Sequence, residues 1–299
     1  MTKLFKKIYC EISGACNLTC DFCPLTDEPR GFMELDLFQK IADEVAEISE
    51  RIYLHVMGEP LLHPQFDQFI KACEKRKLAV HLVTNGMFLN KKVDSVLNPT
   101  VREVNISLQS FAGCHGEDAD DSEYLKTMFE FIETAFEKRP DMHVNLRLWN
   151  LRDFGSVVDH NRTLLEKIYD HFDEEIPEFS IGARHHGRSV RVKNNLFMNY
   201  STRFLWPSLD APFVRKKGYC MGATTQLGIH SDGTVVPCCL DNNATIKLGN
   251  VKDHSLREII THERADRMRS GLDEAKLVEE MCQRCEFASR FRKKIRYRR

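Results

Sequence analysis

Cys16, Cys20 and Cys23 stand close together in the run Cys-Asn-Leu-Thr-Cys-Asp-Phe-Cys. Four thiolates close a cubane iron–sulfur site, whereas three leave one iron with an open position. An open position marks a metal that does chemistry rather than one that only holds a fold, as it does for zinc. A loop can bring three thiolates to one centre because it need not follow strand or helix geometry. A zinc knuckle or a trio of redox thiols would use the same residues, although zinc sites favour paired Cys-x2-Cys spacings. A second set comprises Cys220, Cys238 and the Cys-x2-Cys pair Cys282 and Cys285. These four would close a cubane fully, or form a four-cysteine zinc site.

Eleven cysteines in 299 residues are many for a chain in a reducing compartment. Disulfide scaffolds are short and exported, and Met1 to Lys7 is basic with no apolar stretch of a signal peptide. Metal ligation or thiol chemistry is the better use. No apolar run approaches a membrane span, and a cytoplasmic location without membrane attachment is expected. Lys plus Arg (43) nearly balances Asp plus Glu (44), so no global field draws the chain to nucleic acid. Cys10 in a strand and Cys73 on a helix read as core residues.

The elements that must position these thiols alternate between strand and helix. Strands are expected at 8–13, 52–57, 79–83, 104–108 and 143–148, with a sixth at Phe179 to Ala183. Helices are expected at 66–77, 123–138 and 157–171. An earlier helix follows from Leu37, Ile41, Val45 and Ile48, opened by an Asp36/Gln39 capping box. Such alternation implies parallel β/α units with right-handed crossovers. About six strands fall short of a closed eight-stranded barrel, so the fold class is α/β, a partial (β/α)6 TIM-type barrel. Functional groups then belong in loops after the strands' carboxyl ends, where Cys16, Cys20 and Cys23 stand. Beyond Arg184 the pattern turns irregular. A hairpin follows around Ser231-Asp232-Gly233, then a helix opened by a Ser255/Glu258 capping box. The expected division is a barrel at 1–190, a linker at 191–219 and a small cysteine-rich domain at 220–299.

Cys-x3-Cys-x2-Cys with Phe22 before the third cysteine resembles the signature of the radical S-adenosylmethionine (SAM) superfamily. Met57-Gly58-Glu59-Pro60 is similar to the family's Gly-Gly-Glu-Pro motif, with Met57 in place of the first glycine. Gly58 permits close backbone approach, and Glu59 would accept hydrogen bonds from the SAM ammonium. Thr84-Asn85-Gly86 matches a frequent family turn. Ser107 and Gln109 end the fourth strand, where members place polar groups near SAM. Arg147 ends the fifth and could pair with the SAM carboxylate as a fork. Strand-end polar residues also occur without function, and His55 and His63 read as structural. Cys220, Gly233 and Cys238 resemble the first half of the SPASM signature, an auxiliary-cluster domain. With no cysteine after Cys285, one auxiliary [4Fe-4S] cluster is implied, as in shortened or twitch variants. Cys239 could be an alternative ligand, a buried thiol or a hydrogen donor. Cys114, in a loop after the fourth strand, is a candidate hydrogen donor to a substrate radical.

The resemblance implies an enzyme that reductively cleaves SAM to a 5′-deoxyadenosyl radical and takes hydrogen from a substrate. It implies two [4Fe-4S] clusters, SAM, and a flavodoxin- or ferredoxin-like electron donor. SPASM-type relatives often crosslink, epimerise or oxidise peptides and proteins, which makes a peptide or protein the leading substrate class. The first strand starts within ten residues, so a separate recognition protein or direct binding is expected. An RNA or nucleotide substrate is the alternative, because Arg290 to Arg299 interleaves basic and aromatic residues. A non-enzymatic iron–sulfur or zinc regulator is a third reading. His185, His186, Arg184 and Arg188 could touch an anionic substrate or simply be solvated.

Overall fold

Alternating apolar strands and one-sided apolar helices fold this chain as an α/β protein, seen here in a computed structural model. The structure describes residues 3–24, 31–151, 156–177 and 188–291. In chain order the first elements are β1 (Lys7–Cys10), α1 (Leu35–Ile48), β2 (Arg51–Tyr53), α2 (Phe66–Lys75) and β3 (Ala79–Thr84). Then come α3 (Val93–Val96), β4 (Val101–Ser107), α4 (Gln109–His115), α5 (Ser122–Lys138), β5 (His143–Leu148) and α6 (Ser156–His171). The strands β6 (Arg188–Lys193), β7 (Leu196–Tyr200), β8 (Gln226–Ile229), β9 (Thr234–Val236) and β10 (Gly249–Asn250) follow. Helices α7 (Leu256–Thr261), α8 (Glu263–Asp273) and α9 (Glu280–Gln283) complete the order. This is the alternation of a partial (β/α)6 barrel with a C-terminal hairpin and helices.

Two compact units emerge. The first comprises residues 1–17, 24–80 and 204–299. Its strands lie in the order β10-β9-β8-β1-β2. β1 runs parallel to both β2 and β8, and β8–β9 is the expected hairpin. The cysteine-rich C-terminal region is therefore continuous with the first strand. Helix α1 buries Phe38, Ile41, Ala42 and Val45 along one stripe. It starts at Leu35, so Asp36 falls in the first turn, where its charge suits the helix dipole. The expected Asp36/Gln39 box does not form, because Glu34 is the N-cap and makes no side-chain cap. Lys40 donates to the Val251 carbonyl and Glu44 accepts the Leu256 N–H, tying α1 to the C-terminal region. The Ser255/Glu258 box at α7 does form, with Ser255 N–H 2.8 Å from Glu258 Oε2.

The second unit comprises residues 18–23 and 81–203, with strand order β3-β4-β5-β7-β6. β4–β5 and β5–β7 are parallel, and β6–β7 is an antiparallel hairpin. The parallel position after β5 is thus filled by β7, within the stretch read as irregular. Its turn is Asn194-Asn195, with Asn194 at φ 47°, and residues 196–200 alternate buried and half-buried. The strand expected at Phe179 to Ala183 lies outside the described residues, as do Arg184, His185, His186 and the basic tail from 292. Helix α5 buries Tyr124, Met128, Phe131 and Ala135 at helical spacing. No helix among the described residues is long and apolar enough to cross a membrane.

Candidate functional site

The loop holding Cys20 and Cys23 is fixed by the helix that follows β4. Cys20 Sγ donates to the Ser110 carbonyl at 3.3 Å, Asp21 N–H to the Gly113 carbonyl at 2.9 Å, and Thr19 N–H reaches Cys114 Sγ at 3.4 Å. A Cβ on Gly113 would stand 2.8 Å from Phe22 Cε1, so a larger residue would push the Phe22 ring aside. Arg203 pairs with Asp21 at 3.0 Å and lies 5.7 Å over the Phe22 ring. Ser110, Gly113 and Arg203 escape a motif search because each acts through a distant chain contact. Cys114 lies on α4 rather than in a loop, and its sulfur anchors Thr19.

The Cys20 thiol is pushed far up by its hydrogen bond with Cys23, then by burial and the Cys23 charge. Two adjoining thiols that resist joint ionisation need a cationic centre before both can be thiolates. That donor chemistry fits thiolate-bound iron. Cys16, exposed, lies one residue before the end of the first segment of the other unit.

In that unit, Gly58 has φ 71°, and a Cβ there would stand 2.2 Å from the Ser13 carbonyl oxygen. Glu59 N–H donates to the Ala15 carbonyl at 2.9 Å. Residues 57–60 therefore rest directly on the backbone that leads into Cys16. Glu59 is 1% exposed, and its Oε1 accepts Leu61 N–H at 3.0 Å, capping the turn Pro60–Leu62. His63 is structural, with Nε2 3.1 Å from the Met33 carbonyl and Nδ1 accepting Gln65 N–H. Gly58→Ala combines a left-handed φ with a backbone collision. We expect it to cost at least about 2 kcal/mol, read as a lowered thermal midpoint.

The strand ends of the second unit carry the remaining expected residues. Asn85 Oδ1 accepts Met87 N–H and Thr84 Oγ1 accepts Gly86 N–H, each at 3.0 Å, so both side chains build the turn. Ser107 ends β4 in register with Arg147 on β5. Gln109 opens α4 instead of ending the strand, and its Oε1 is buried with no hydrogen-bond partner. A donor from a bound group would complete that acceptor. Arg147 Nε donates to Asn105 Oδ1 at 3.1 Å, and its guanidinium lies 4.8 Å over Trp149. Asn105 in turn donates to Glu103 at 2.8 Å, and Glu103 meets His81 at 3.3 Å. Burial pushes the Glu103 carboxyl up, but hydrogen bonds from His81 and Asn105 and the charges of His81 and Arg147 outweigh it, holding it at about 2. Positions 103, 105 and 107 share a strand face with their register partners 143, 145 and 147. The result is a polar wall of linked side chains.

The second thiol set lies wholly within the first unit. Cys220, Cys238 and Cys282 line one cavity with Met268, Leu272 and Leu277. Burial raises the Cys238 thiol, followed by the charges of Cys239, Cys220, Cys282 and Cys285. Burial likewise raises Cys282, followed by Cys220 and Cys285, and pushes Cys285 up to about 11. Among the described residues, no three His, Cys, Asp or Glu side chains are already drawn together as a metal group. Four half-buried thiols within electrostatic reach of one another fit a cation that compensates their charge, as in an iron–sulfur cubane. Gly228 is required beside them, since a Cβ would stand 2.7 Å from Val236 Cγ2 and 3.1 Å from the Cys238 carbonyl oxygen. Asp241, fully buried, accepts Thr245 and Ile246 N–H at 2.8 Å and shapes the loop after Cys238. Arg264 grips Glu279 with two bonds, 3.0 and 2.8 Å, just before α9. Cys239 packs with Tyr9, Tyr53, Val56 and Met57. Cys10 and Cys73 are fully buried core residues.

Comparison with known proteins adds independent findings. The profile of the radical SAM superfamily matches residues 10–160. SPASM, an iron–sulfur cluster-binding domain, matches residues 220–286. Over 92 residues the chain is 36% identical to the tungsten-containing aldehyde ferredoxin oxidoreductase cofactor-modifying protein of Pyrococcus furiosus. That match spans 29% of this chain and 26% of that protein's length. It is 22% identical over 263 residues to GTP 3',8-cyclase of Synechocystis sp., covering 79% of this chain and 80% of the cyclase. Streptococcus suis SuiB bound to precursor peptide SuiA shares the fold, with TM-score 0.56 and 14% identity over 95% of this chain and 71% of SuiB.

Proposed function

Because this chain belongs to the radical SAM superfamily and carries a SPASM iron–sulfur domain, we propose that it modifies a peptide or protein by abstracting a hydrogen atom. It is an enzyme of that superfamily, and its two matched domains bring SAM, a SAM-binding [4Fe-4S] cluster and an auxiliary [4Fe-4S] cluster with them. When bound, reduced cluster and SAM supply the 5′-deoxyadenosyl radical. Cys16, Cys20 and Cys23 would hold the first cluster, and Cys220, Cys238, Cys282 and Cys285 the second. The observation that carries this assignment is an open three-thiol motif and a half-buried four-thiol set in one chain.

The chain's own residues would bind and orient SAM. Glu59 would bring a buried carboxylate to the SAM ammonium. Gln109 would offer its buried acceptor, and Arg147 its guanidinium, steadied by Asn105 and Trp149. Gly58 shapes the backbone beside Glu59, and Asn85 the turn after β3. Phe22, held by Gly113 and Arg203, would keep the loop ordered and shed water from its third cysteine. Cys114 would serve the loop as an anchor for Thr19 before any role towards substrate. A small flavodoxin- or ferredoxin-like protein would supply the electron.

Two things support a peptide or protein substrate: the SPASM domain and the fold shared with SuiB, solved with its precursor peptide. A nucleotide substrate is the second reading, favoured by the match to a GTP 3',8-cyclase across 79% of this chain. The test is to incubate anaerobically reconstituted, dithionite-reduced protein with SAM, adding either unmodified synthetic peptides or GTP. Deoxyadenosine release accelerated by peptide, with a matching mass change in the peptide, is the expected result. Conversion of GTP alone would establish the second reading, and no SAM cleavage under any condition would end both.

A further inference from the structure

We propose that Glu11 is a positioning residue through which the hairpin of the auxiliary region holds the Met57-Gly58-Glu59 loop in its SAM-binding shape. The inference rests on the assignment of that loop to SAM, made above.

Glu11 directly follows β1 and is fully buried. Its Oε2 accepts Met57 N–H at 2.9 Å, and its Oε1 accepts Ser231 N–H at 3.4 Å. Its own N–H donates to the Ile229 carbonyl at 2.8 Å. One carboxylate therefore joins the first residue of the 57–60 motif to the β8–β9 turn. The chain position explains why a side chain is needed. Backbone pairing of β1 with β2 ends at Tyr9↔Tyr53, and pairing with β8 at Cys10↔Ile229. The ladder with β2 ends there, and on the β8 side the Glu11 N–H to the Ile229 carbonyl closes it. The Glu11 side chain carries the tie further on both sides at once, one oxygen to Met57 and one to Ser231.

A buried carboxylate is costly unless hydrogen bonds satisfy it, and charge-assisted bonds from N–H groups are the strong kind. The same two bonds satisfy two backbone donors where the ladder has ended. The Met57 amide is next to Gly58, whose backbone approach to residues 13–15 tolerates no Cβ. A small displacement at Met57 would thus be carried into Gly58 and Glu59. Sequence reading passes over Glu11 because a lone acidic residue at a strand end has no spacing signal.

Glu11→Gln tests this with little change in shape. An amide has one acceptor oxygen, and its NH2 would face one of the two N–H donors, so one bond is lost. In cluster-reconstituted protein, equilibrium dialysis with SAM should show about tenfold weaker binding, the effect of one buried donor left unsatisfied. Hydrogen–deuterium exchange should accelerate in segments 55–59 and 229–233. Val45→Ala, a cavity in the apolar stripe of α1, is the control for general destabilisation. It should lower the thermal midpoint without altering SAM binding or exchange in those segments. Unchanged SAM affinity and exchange in Glu11→Gln would overturn the inference, and so would equal losses in Val45→Ala. Wild-type protein that exchanges slowly at 55–59 but binds no SAM would overturn the SAM assignment, with the exchange comparison still deciding whether Glu11 clamps the two amides.

Discussion

Replacing Cys16, Cys20 and Cys23 together with alanine is expected to reduce deoxyadenosine formation to background while leaving the auxiliary site loaded. Iron should fall from about eight to about four atoms per chain, since each cubane holds four. The effect is large because the three thiols have no substitute donors. Cys10 is fully buried in β1, and Cys114 is engaged with Thr19. The protein should remain folded. Alanine removes the Cys20 Sγ bond to Ser110 but preserves the backbone bonds from Asp21 N–H to Gly113 and Cys23 N–H to Cys20 and the Arg203–Asp21 pair. Iron remaining near eight would show that these residues are not the ligands. Iron falling to zero would show that the two sites do not load independently.

The Cys282→Ser, Cys285→Ser double variant is expected to separate SAM cleavage from substrate modification. It leaves Cys220 and Cys238 without half of their ligand set, so iron should again fall to about four atoms per chain. Slow substrate-independent deoxyadenosine release should persist, while modified product should disappear. The thermal midpoint should drop as well. Binding free energy at a closed thiolate site is folding free energy, worth on the order of 10 kcal/mol for structural zinc. These four thiols are half-buried, raise one another's ionisation cost, and flank the β8–β9 hairpin on one side and belong to α9 and its end on the other. Elemental analysis decides the metal. One zinc and about four irons in wild-type protein would keep the enzyme class but replace the auxiliary cluster with a structural site.

The chemistry of this chain was legible in short spacings. Cysteines a few residues apart, a Gly-Glu-Pro run and strand-end polar residues carry their meaning locally, because one loop or one turn presents them. Periodicity marked α1, α2, α5 and α6, and the Ser255/Glu258 box appears as expected because both partners lie within one helical turn. The Asp36/Gln39 box failed for an equally local reason, since the helix began earlier than its apolar pattern suggested. The β6–β7 hairpin was missed although Asn194-Asn195 sits between two alternating segments, a turn signal that could have revealed it.

The sequence alone thus determined which residue types could do chemistry, how they are spaced and which strand ends they follow. Only the tertiary structure decided what holds them there. Gly113 accepts the cysteine loop from more than ninety positions away, and Glu11 spans 220 positions to reach Ser231. β8 pairs with β1 although the whole barrel sequence separates them. Such contacts leave no period or spacing along the chain. They are set by which backbone donors and acceptors remain unpaired once the sheets have formed, and by whether a Cβ fits between two segments that meet only in the fold.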